Sequence, residues 1–309
     1  MTRSGTMVSM ESLHETRLQA GEAATLAKEH GLQQIGVRPP LRRYLRDLWG
    51  RRQFIWTMAT SNAYVQNRDN YLGQFWSILN PLLWSAVYFL AFGLLLGARG
   101  DMDTTAYIAF LTTGMFMFRF ISTAMAGGAR SITGNISLVR SLHFPRAALP
   151  ISTALTELVL LLPALLVLCL IVGAAGQGPG WAWLLFPAAV ILVALFCIGL
   201  TLITSRLVAD IRDLSNLMPF FIRILLYTSG VFFAIETFKD RFYDNGAAWL
   251  YLIIENQPVA AYLNLVRSTL LDDVALEPRL WILGAGYAAV FIVGGFLYFW
   301  RAEERYGRD

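Results

Sequence analysis

Charge is scarce in this 309-residue chain: Asp, Glu, Lys and Arg make up 15% of it, against 56% hydrophobic residues. A soluble domain carries about 25% charged residues, so this shortage, with a mean hydropathy of +0.51, excludes an ordinary water-solvated core. Lysine is scarcer still. The only two, Lys28 and Lys239, follow Ala27 and Phe238, so no G-x-x-x-x-G-K-[ST] phosphate loop exists. The chain is therefore not an ATPase of that kind, and ATP-driven work would need a separate subunit. Cysteine and histidine are too few and too scattered for a metal constellation: Cys169 and Cys197 lie inside apolar segments, His14 and His30 in a polar tail and His143 in a loop. No cofactor is expected in the chain. The net charge of +4 is mostly arginine flanking apolar segments, which leaves no case for a nucleic-acid partner.

Long hydrophobic runs are what the chain has in abundance. Segments of about twenty apolar residues, the length that crosses about 30 Å of hydrocarbon, fall at roughly 75–97, 106–126, 147–172, 181–205, 217–235 and 280–300. The expectation is an all-α integral membrane protein with six transmembrane helices. The first forty residues lack the apolar core of a signal peptide and are expected to form a mobile cytoplasmic tail, with at most one short helix at 10–29. Arginine placement agrees with both termini inside. Arg38, Arg42, Arg43, Arg46, Arg51, Arg52 and Arg68 precede the first span, and Arg130, Arg140 and Arg146 join the second to the third. Arg206 and Arg212 join the fourth to the fifth, and Arg301, Arg305 and Arg308 follow the sixth; on the opposite side the first connection has Arg99 alone and 173–180 has none.

Between the tail and the first span, residues 41–74 form an amphipathic helix and linker. Leu41, Tyr44, Leu45, Leu48, Trp49, Ile55 and Trp56 share one helical face opposite Arg42, Arg43, Arg46, Asp47 and Gln53. Such a helix either lies in the membrane interface, with Arg52 snorkelling, or packs on a partner. Within the six-span domain, 75–309, two connections are more than loop. Residues 127–146 keep Ile132, Ile136, Leu138, Val139 and Leu142, a cytoplasmic hairpin with a short helix that caps the bundle or offers a handle to a partner. Residues 247–271 hold two half-length apolar helices around Asn256-Gln257-Pro258, either a re-entrant outer hairpin or an external cap. Non-helical backbone at membrane depth must be buried in protein or line a wet cavity.

Charges within the spans are costly, about 2.5–3.5 kcal/mol for a central Arg on insertion scales, and suggest function. Arg119, Glu157 and Arg223 qualify. Arg119 and Glu157 either pair to hold two spans together or serve the substrate; Arg223 has no acid nearby and is the better contact for a phosphate or a cavity. Aromatic side chains crowd the first and fifth spans. Trp76 reads as an interfacial belt residue, whereas Trp84, Tyr88, Phe220 and Tyr227 either line a path for a sugar chain or fill the bundle core. Asp101-Met102-Asp103 imitates the carboxylate pair of a metal-dependent glycosyltransferase, but on the outer side, away from nucleotide sugars.

Four patterns in register resemble one family. Tyr71-Leu72-Gly73 with Trp76 and Asn80-Pro81 enter the first span; Leu138-Val139-Arg140, Phe144-Pro145-Arg146 and Leu149-Pro150 join the second and third; Arg212-Asp213-Leu214 precede the fifth. Over 41–300 they resemble the membrane subunit of type-2 ABC exporters of polysaccharides, the Wzm-type O-antigen and teichoic acid permeases. The resemblance implies a homodimer in the bacterial cytoplasmic membrane, bound to two ATPase subunits that hold ATP and Mg, moving a polyprenyl-diphosphate-linked glycan outward. It implies a gate helix at 41–58 whose Arg42, Arg43 and Arg46 meet headgroups and the substrate diphosphate. It also implies a coupling helix in 131–146, where Leu138, Val139, Arg140 and Phe144 meet the ATPase. An Arg- and Ala-rich, Lys-poor composition suggests an actinobacterial source and the galactan-exporting branch that serves mycobacterial cell walls. Type-2 exporters of drugs or lipids are the alternative. Two departures from the family pattern stand out: Ser229-Gly230 where a Ser-Pro pair is common, and Gln257 inserted between Asn256 and Pro258.

Overall fold

Pro40 starts the first helix of a computed structural model that describes residues 39–66, 68, 71–97, 102–141 and 144–304. The expected tail with its helix at 10–29, together with Arg99, Asp101, Leu142, His143, Arg305 and Arg308, lies outside the described residues. All regular structure among the described residues is helical. Five helices are long and apolar enough to cross a membrane. They are α3 (Trp76–Tyr88, prolonged by a π-helical stretch Phe89–Leu95), α4 (Thr104–Arg130), α6 (Ala148–Ala174), α7 (Phe186–Asp210, led in by a 3-10 turn Trp181–Leu185) and α12 (Pro278–Arg301). Prolines stand at the first turn of α7 and α12, where the missing N–H has no partner to lose.

The expected fifth span, 217–235, is not one helix. Helix α8 (Leu214–Thr228) stops after 15 residues, about 22 Å at 1.5 Å per residue, short of a bilayer core of about 30 Å. Gly230 takes φ +70, a left-handed conformation that a β-carbon disfavours, and the chain bends until a 3-10 turn at Ile235–Phe238.

The expected single helix at 41–58 also breaks. Helix α1 (Leu41–Gly50) ends at the glycine, Arg51 leaves helical geometry, and α2 (Arg52–Val65) starts afresh. Of the expected apolar face of α1, Tyr44 is buried and Leu41 and Leu48 are half-buried, whereas Leu45 and Trp49 are exposed, as are Arg42, Arg43 and Arg46. Helix α2 behaves differently. It packs along α6 through buried Ala59 and Ala63, and Thr156 Oγ1 donates to the Ala59 carbonyl at 3.2 Å; small residues permit that approach.

Helix α4 is the hub, in contact with α3, α6, α7, α8 and α11. Helices α7 and α12 make the most extensive single contact. Gly199 and Gly295 meet there so closely that a β-carbon on Gly199 would fall 2.2 Å from the Phe291 carbonyl carbon. The connection expected as a re-entrant hairpin contains α9 (Lys239–Asp244), then α10 (Ala248–Asn256) and α11 (Pro258–Leu270), with Gln257 as the one extended residue between the last two. The connection 127–146 carries α5 (Ile136–Ser141).

Candidate translocation face

Where α8 stops, its carbonyls lose their helical partners, and inside a bilayer no water replaces them. Side chains from two other elements do. The Gln257 amide donates to the Thr228 carbonyl at 2.5 Å. Arg267, from α11, donates through Nη1 to the Gly230 carbonyl at 2.8 Å and through Nη2 to the Val231 carbonyl at 3.1 Å. The Tyr107 hydroxyl donates to the Phe232 carbonyl at 2.8 Å. Arg267 also donates to the Phe110 carbonyl and lies over the Phe110 ring, 3.4 Å from its centroid, where the π face favours a cation. It is 1% exposed. A cation at a helix C-terminus complements the dipole, so the break is held by charge as well as by hydrogen bonds.

That break delivers Phe232 into the space between α3 and α8. Its ring lies 4.5 Å from Tyr88, 4.6 Å from Phe92 in a near-parallel stack and 5.6 Å from Tyr227. Trp84 stacks on Tyr88 at 5.7 Å. Phe220, Arg223 and Tyr227 follow one another at i, i+3 and i+7 along α8 and so share a face. Trp84 is 50%, Phe220 62% and Tyr227 47% exposed, and Arg223 is exposed too. Tyr88 and Phe92, by contrast, are half-buried against the main core that contains Phe232. Of the residues expected to form a path, Trp84, Tyr88 and Tyr227 are brought together through Phe232. Phe220 touches only Phe221 among the aromatic contacts of the described residues, at 6.4 Å, and reaches the group by sharing its helix face. The π-helical stretch after Tyr88 turns Phe92 into this group; such bulges recur at functional sites.

The sequence profile of the ABC-2 type transporter family matches residues 53–271, more than half of the chain. The chain belongs to that family. An O-antigen export system permease protein RfbA of Myxococcus xanthus is 29% identical over 202 residues, covering 64% of this chain and 75% of the relative. A protein of the same name from Klebsiella pneumoniae is 24% identical over 241 residues, covering 78% and 85%, and a second one is 25% identical over 186 residues, covering 60% and 70%.

For a member of the ABC-2 type transporter family, the hairpin between α4 and α6 departs from expectation. Val139 is buried, and it packs with Tyr44, Ala147, Phe299 and Ala302 in the chain's own core; Leu138 and Phe144 lie partly buried against the same cluster. Phe144 meets Phe54 of α2 at 5.6 Å. Val139 and Phe144 thus serve the hairpin's attachment instead of facing a partner, because a six-residue helix with one apolar side buries that side against the nearest apolar surface. Arg140, Ser137 and Ser141 remain exposed. The attachment has a polar lock that the sequence pattern did not single out. The Tyr44 hydroxyl donates to Glu303 Oε2 at 2.8 Å and accepts from the Ala147 N–H at 3.1 Å, and the Arg146 N–H donates to Glu303 Oε1 at 3.0 Å. The Arg146 guanidinium donates to the Glu303 carbonyl. Burial pushes the Glu303 carboxyl above its ordinary pKa of 4.5, opposed by the Arg146 N–H, the Tyr44 hydroxyl and the Arg146 charge.

In this ABC-2 type protein Arg119 and Glu157 do not form the ion pair that was one of their two expected roles. Instead both line one cavity, with Trp76 on its wall. The sequence pattern marks Gln257 only as an insertion and Phe232 only among the aromatics of the fifth span, and it marks neither Arg267 nor Tyr107. Arg267 carries a usable signal, a cation in an apolar stretch, but its helix has only 13 residues and so does not read as a span.

Proposed function

We propose that the chain is the membrane-spanning subunit of an ATP-driven exporter that passes a polyprenyl-diphosphate-linked polysaccharide, such as an O-antigen-like glycan or a galactan, across a bacterial cytoplasmic membrane. Two copies and two separate ATPase subunits, which hold ATP and Mg, make up the transporter, and both termini of each copy are cytoplasmic. The observation that carries this reading is an aromatic face on which Trp84, Phe220 and Tyr227 are exposed and Tyr88 is half-buried, with exposed Arg223 beside it, in a relative of proteins named for O-antigen export. Ring faces stack on flat apolar surfaces without demanding one sequence, as in channels for single-stranded nucleic acid. A sugar chain that must be released at every step needs that tolerance.

The sixth crossing is α8 together with the capped segment after it, and the hairpin of α10 and α11 enters the outer leaflet. Arg42, Arg43 and Arg46 on α1 meet headgroups and the substrate diphosphate, each contributing about 1 kcal/mol near an anionic surface. The test of function is depletion of the protein followed by analysis of lipid-linked glycans. Accumulation of one such glycan on the cytoplasmic side is expected; an unchanged glycan pool with a defect in drug or lipid efflux would transfer the chain to the other class of type-2 exporters. Cysteines at Tyr88 and Tyr227 test the route: cross-linking between two copies that stops export is expected, and labelling only by lipid-soluble reagents with export intact would remove it.

A further inference from the structure

Of the ten residues of α1, Tyr44 alone is buried, so the socket that its phenol enters sets the place of this helix on the bundle. The walls of that socket are apolar. They include Val139 of α5, Ala147, and Phe299 and Ala302 at the end of α12, with the Phe296 ring 5.8 Å from that of Tyr44. Its rim is polar and directional. The Tyr44 hydroxyl accepts from the Ala147 N–H at 3.1 Å and donates to Glu303 Oε2 at 2.8 Å, while Glu303 Oε1 accepts from the Arg146 N–H at 3.0 Å. Arg146 and Ala147 immediately precede α6, so both N–H groups lie at the N-terminal end of that helix, where a carboxylate complements the dipole. Glu303 stands two residues past α12 and is 8% exposed. Its two oxygens hold two elements: the end of the hairpin on Oε1 and α1 on Oε2.

We infer that Glu303 is a positioning residue of the transport cycle: its carboxylate makes α1, with its arginine face, travel with the hairpin of residues 127–146 when an ATPase displaces that hairpin. The inference rests on the roles proposed above for the hairpin and for α1. A push on α5 reaches the Arg146 and Ala147 N–H groups along the chain that joins them to it. From there it passes to α1 through apolar contacts and through hydrogen bonds, and the two differ. Apolar attraction is non-directional, so side chains held by it alone slide over one another, whereas a hydrogen bond weakens steeply once its angle falls below about 120°. An apolar side chain at position 303 would fasten α1 to the same cluster without the cost of burying a carboxylate. What the carboxylate alone supplies is a fixed direction between Tyr44 and the start of α6. The break at Arg51, where helical geometry lapses between α1 and α2, is a hinge about which α1 turns while α2 stays packed along α6.

The test places the full-length protein with its ATPase subunit in nanodiscs, spin-labels pairs of exposed positions and measures their distances by pulsed electron spin resonance with and without trapped ATP. Cys169 and Cys197 are first replaced by Ala. Asp47→Cys on α1 with Ser141→Cys on α5 is expected to give one narrow distance that ATP leaves unchanged. Asp47→Cys with Ile211→Cys, just past α7, should give a distance that shifts when ATP is trapped. Glu303→Gln keeps only one of the two acceptor oxygens and Tyr44→Phe removes the hydroxyl, so each should broaden the first distance and abolish the shift of the second. The double variant should do no more than either alone, because both cut the same link. In the same preparations the variants should keep the ATPase subunit and the basal rate of ATP hydrolysis and lose the stimulation by lipid-linked glycan. Melting temperatures identify any variant that fails to fold, and the labelled protein with Glu303 and Tyr44 intact decides by itself whether α1 and α5 move together. A first distance that changes with ATP in that protein overturns the proposal, as does a second distance that stays fixed. Wild-type distances and stimulation in both folded variants overturn it too, and so do effects that simply add in the double variant, which would make Glu303 a fastening of the fold. Distances that behave as expected in a transporter no glycan stimulates would support the link and remove only the polysaccharide reading.

Discussion

The side-chain amide of Gln257 donates to the carbonyl of Thr228, the last residue of α8, at 2.5 Å. Both departures from the family pattern meet in this contact. Gln257 is the inserted residue, and Thr228 directly precedes Ser229-Gly230, the other expected departure. Gly230 has φ +70, which proline, fixed near −65°, cannot adopt. Gly230→Pro is therefore expected to lower the melting temperature in detergent sharply. Gln257→Met, which leaves the carbonyl unpaired, should cost about 1–3 kcal/mol. A Gly230→Pro protein that melts with wild type would remove the left-handed turn from the account.

Arg267 should be harder to replace than any exposed arginine. Its guanidinium serves the carbonyls of Phe110, Gly230 and Val231 at once, a fan that a single ammonium matches poorly. Arg267→Met is expected to destabilise by several kcal/mol, since each buried carbonyl left unpaired costs about 1–3 kcal/mol, and Arg267→Lys should fall between. Gly114→Leu should resemble Arg267→Met, because a β-carbon on Gly114 would already lie 2.4 Å from Arg267 Nη2. Thermal melts of the three variants check the order.

The Glu303 lock predicts a pH dependence of defined sign. Its folded pKa is raised above 4.5, burial being the largest cause, so between the two values the folded protein binds more protons than the unfolded chain. Stability contributed by this group is then greatest below pH 4.5 and falls as pH rises through the folded pKa. In a pH series of melting temperatures Glu303→Gln should flatten that decline, and Tyr44→Phe should weaken the attachment of α1 at every pH. A wild-type profile rising over the same window, and removed by Glu303→Gln, would contradict the assignment.

Co-purification with the ATPase separates attachment of the hairpin from its outward contact. Arg140→Glu, on the exposed side of α5, is expected to lose the ATPase with a smaller fall in melting temperature than a charge placed at the buried Val139. Val139→Asp places a charge in the cluster of Tyr44, Phe299 and Ala302 and should lower the melting temperature as well. Retention of the ATPase at wild-type yield by Arg140→Glu would move the coupling contact elsewhere.

Replacing Arg42, Arg43 and Arg46 together with Gln should weaken stimulation of ATP hydrolysis by lipid-linked glycan and leave the melting temperature nearly unchanged, because all three are exposed. Stimulation equal to wild type would free α1 from any role in loading substrate.

The apolar runs by themselves determined that the chain is helical and membrane-bound, and placed five of its long helices to within a few residues. Hydropathy is a sum along the chain, and a helix in lipid satisfies its own backbone, so that much needs no tertiary information. The two faces of α1, with Tyr44 inward and its arginines outward, were legible for the same reason: helical period is local. Interruptions were not. Whether α8 continues past Thr228 depends on donors supplied by Gln257, Arg267 and Tyr107, which lie 29 to more than 100 residues away in sequence and meet it only in the folded bundle. Val139 and Arg140 are neighbours on one short helix, and only the presence of Tyr44 and Phe299 beneath it decided which of them is buried. Arg119 and Glu157 were visible as charges in apolar runs, but the choice between an ion pair and a shared cavity was made by the spacing of α3, α4 and α6, a property of packing that neither helix carries alone.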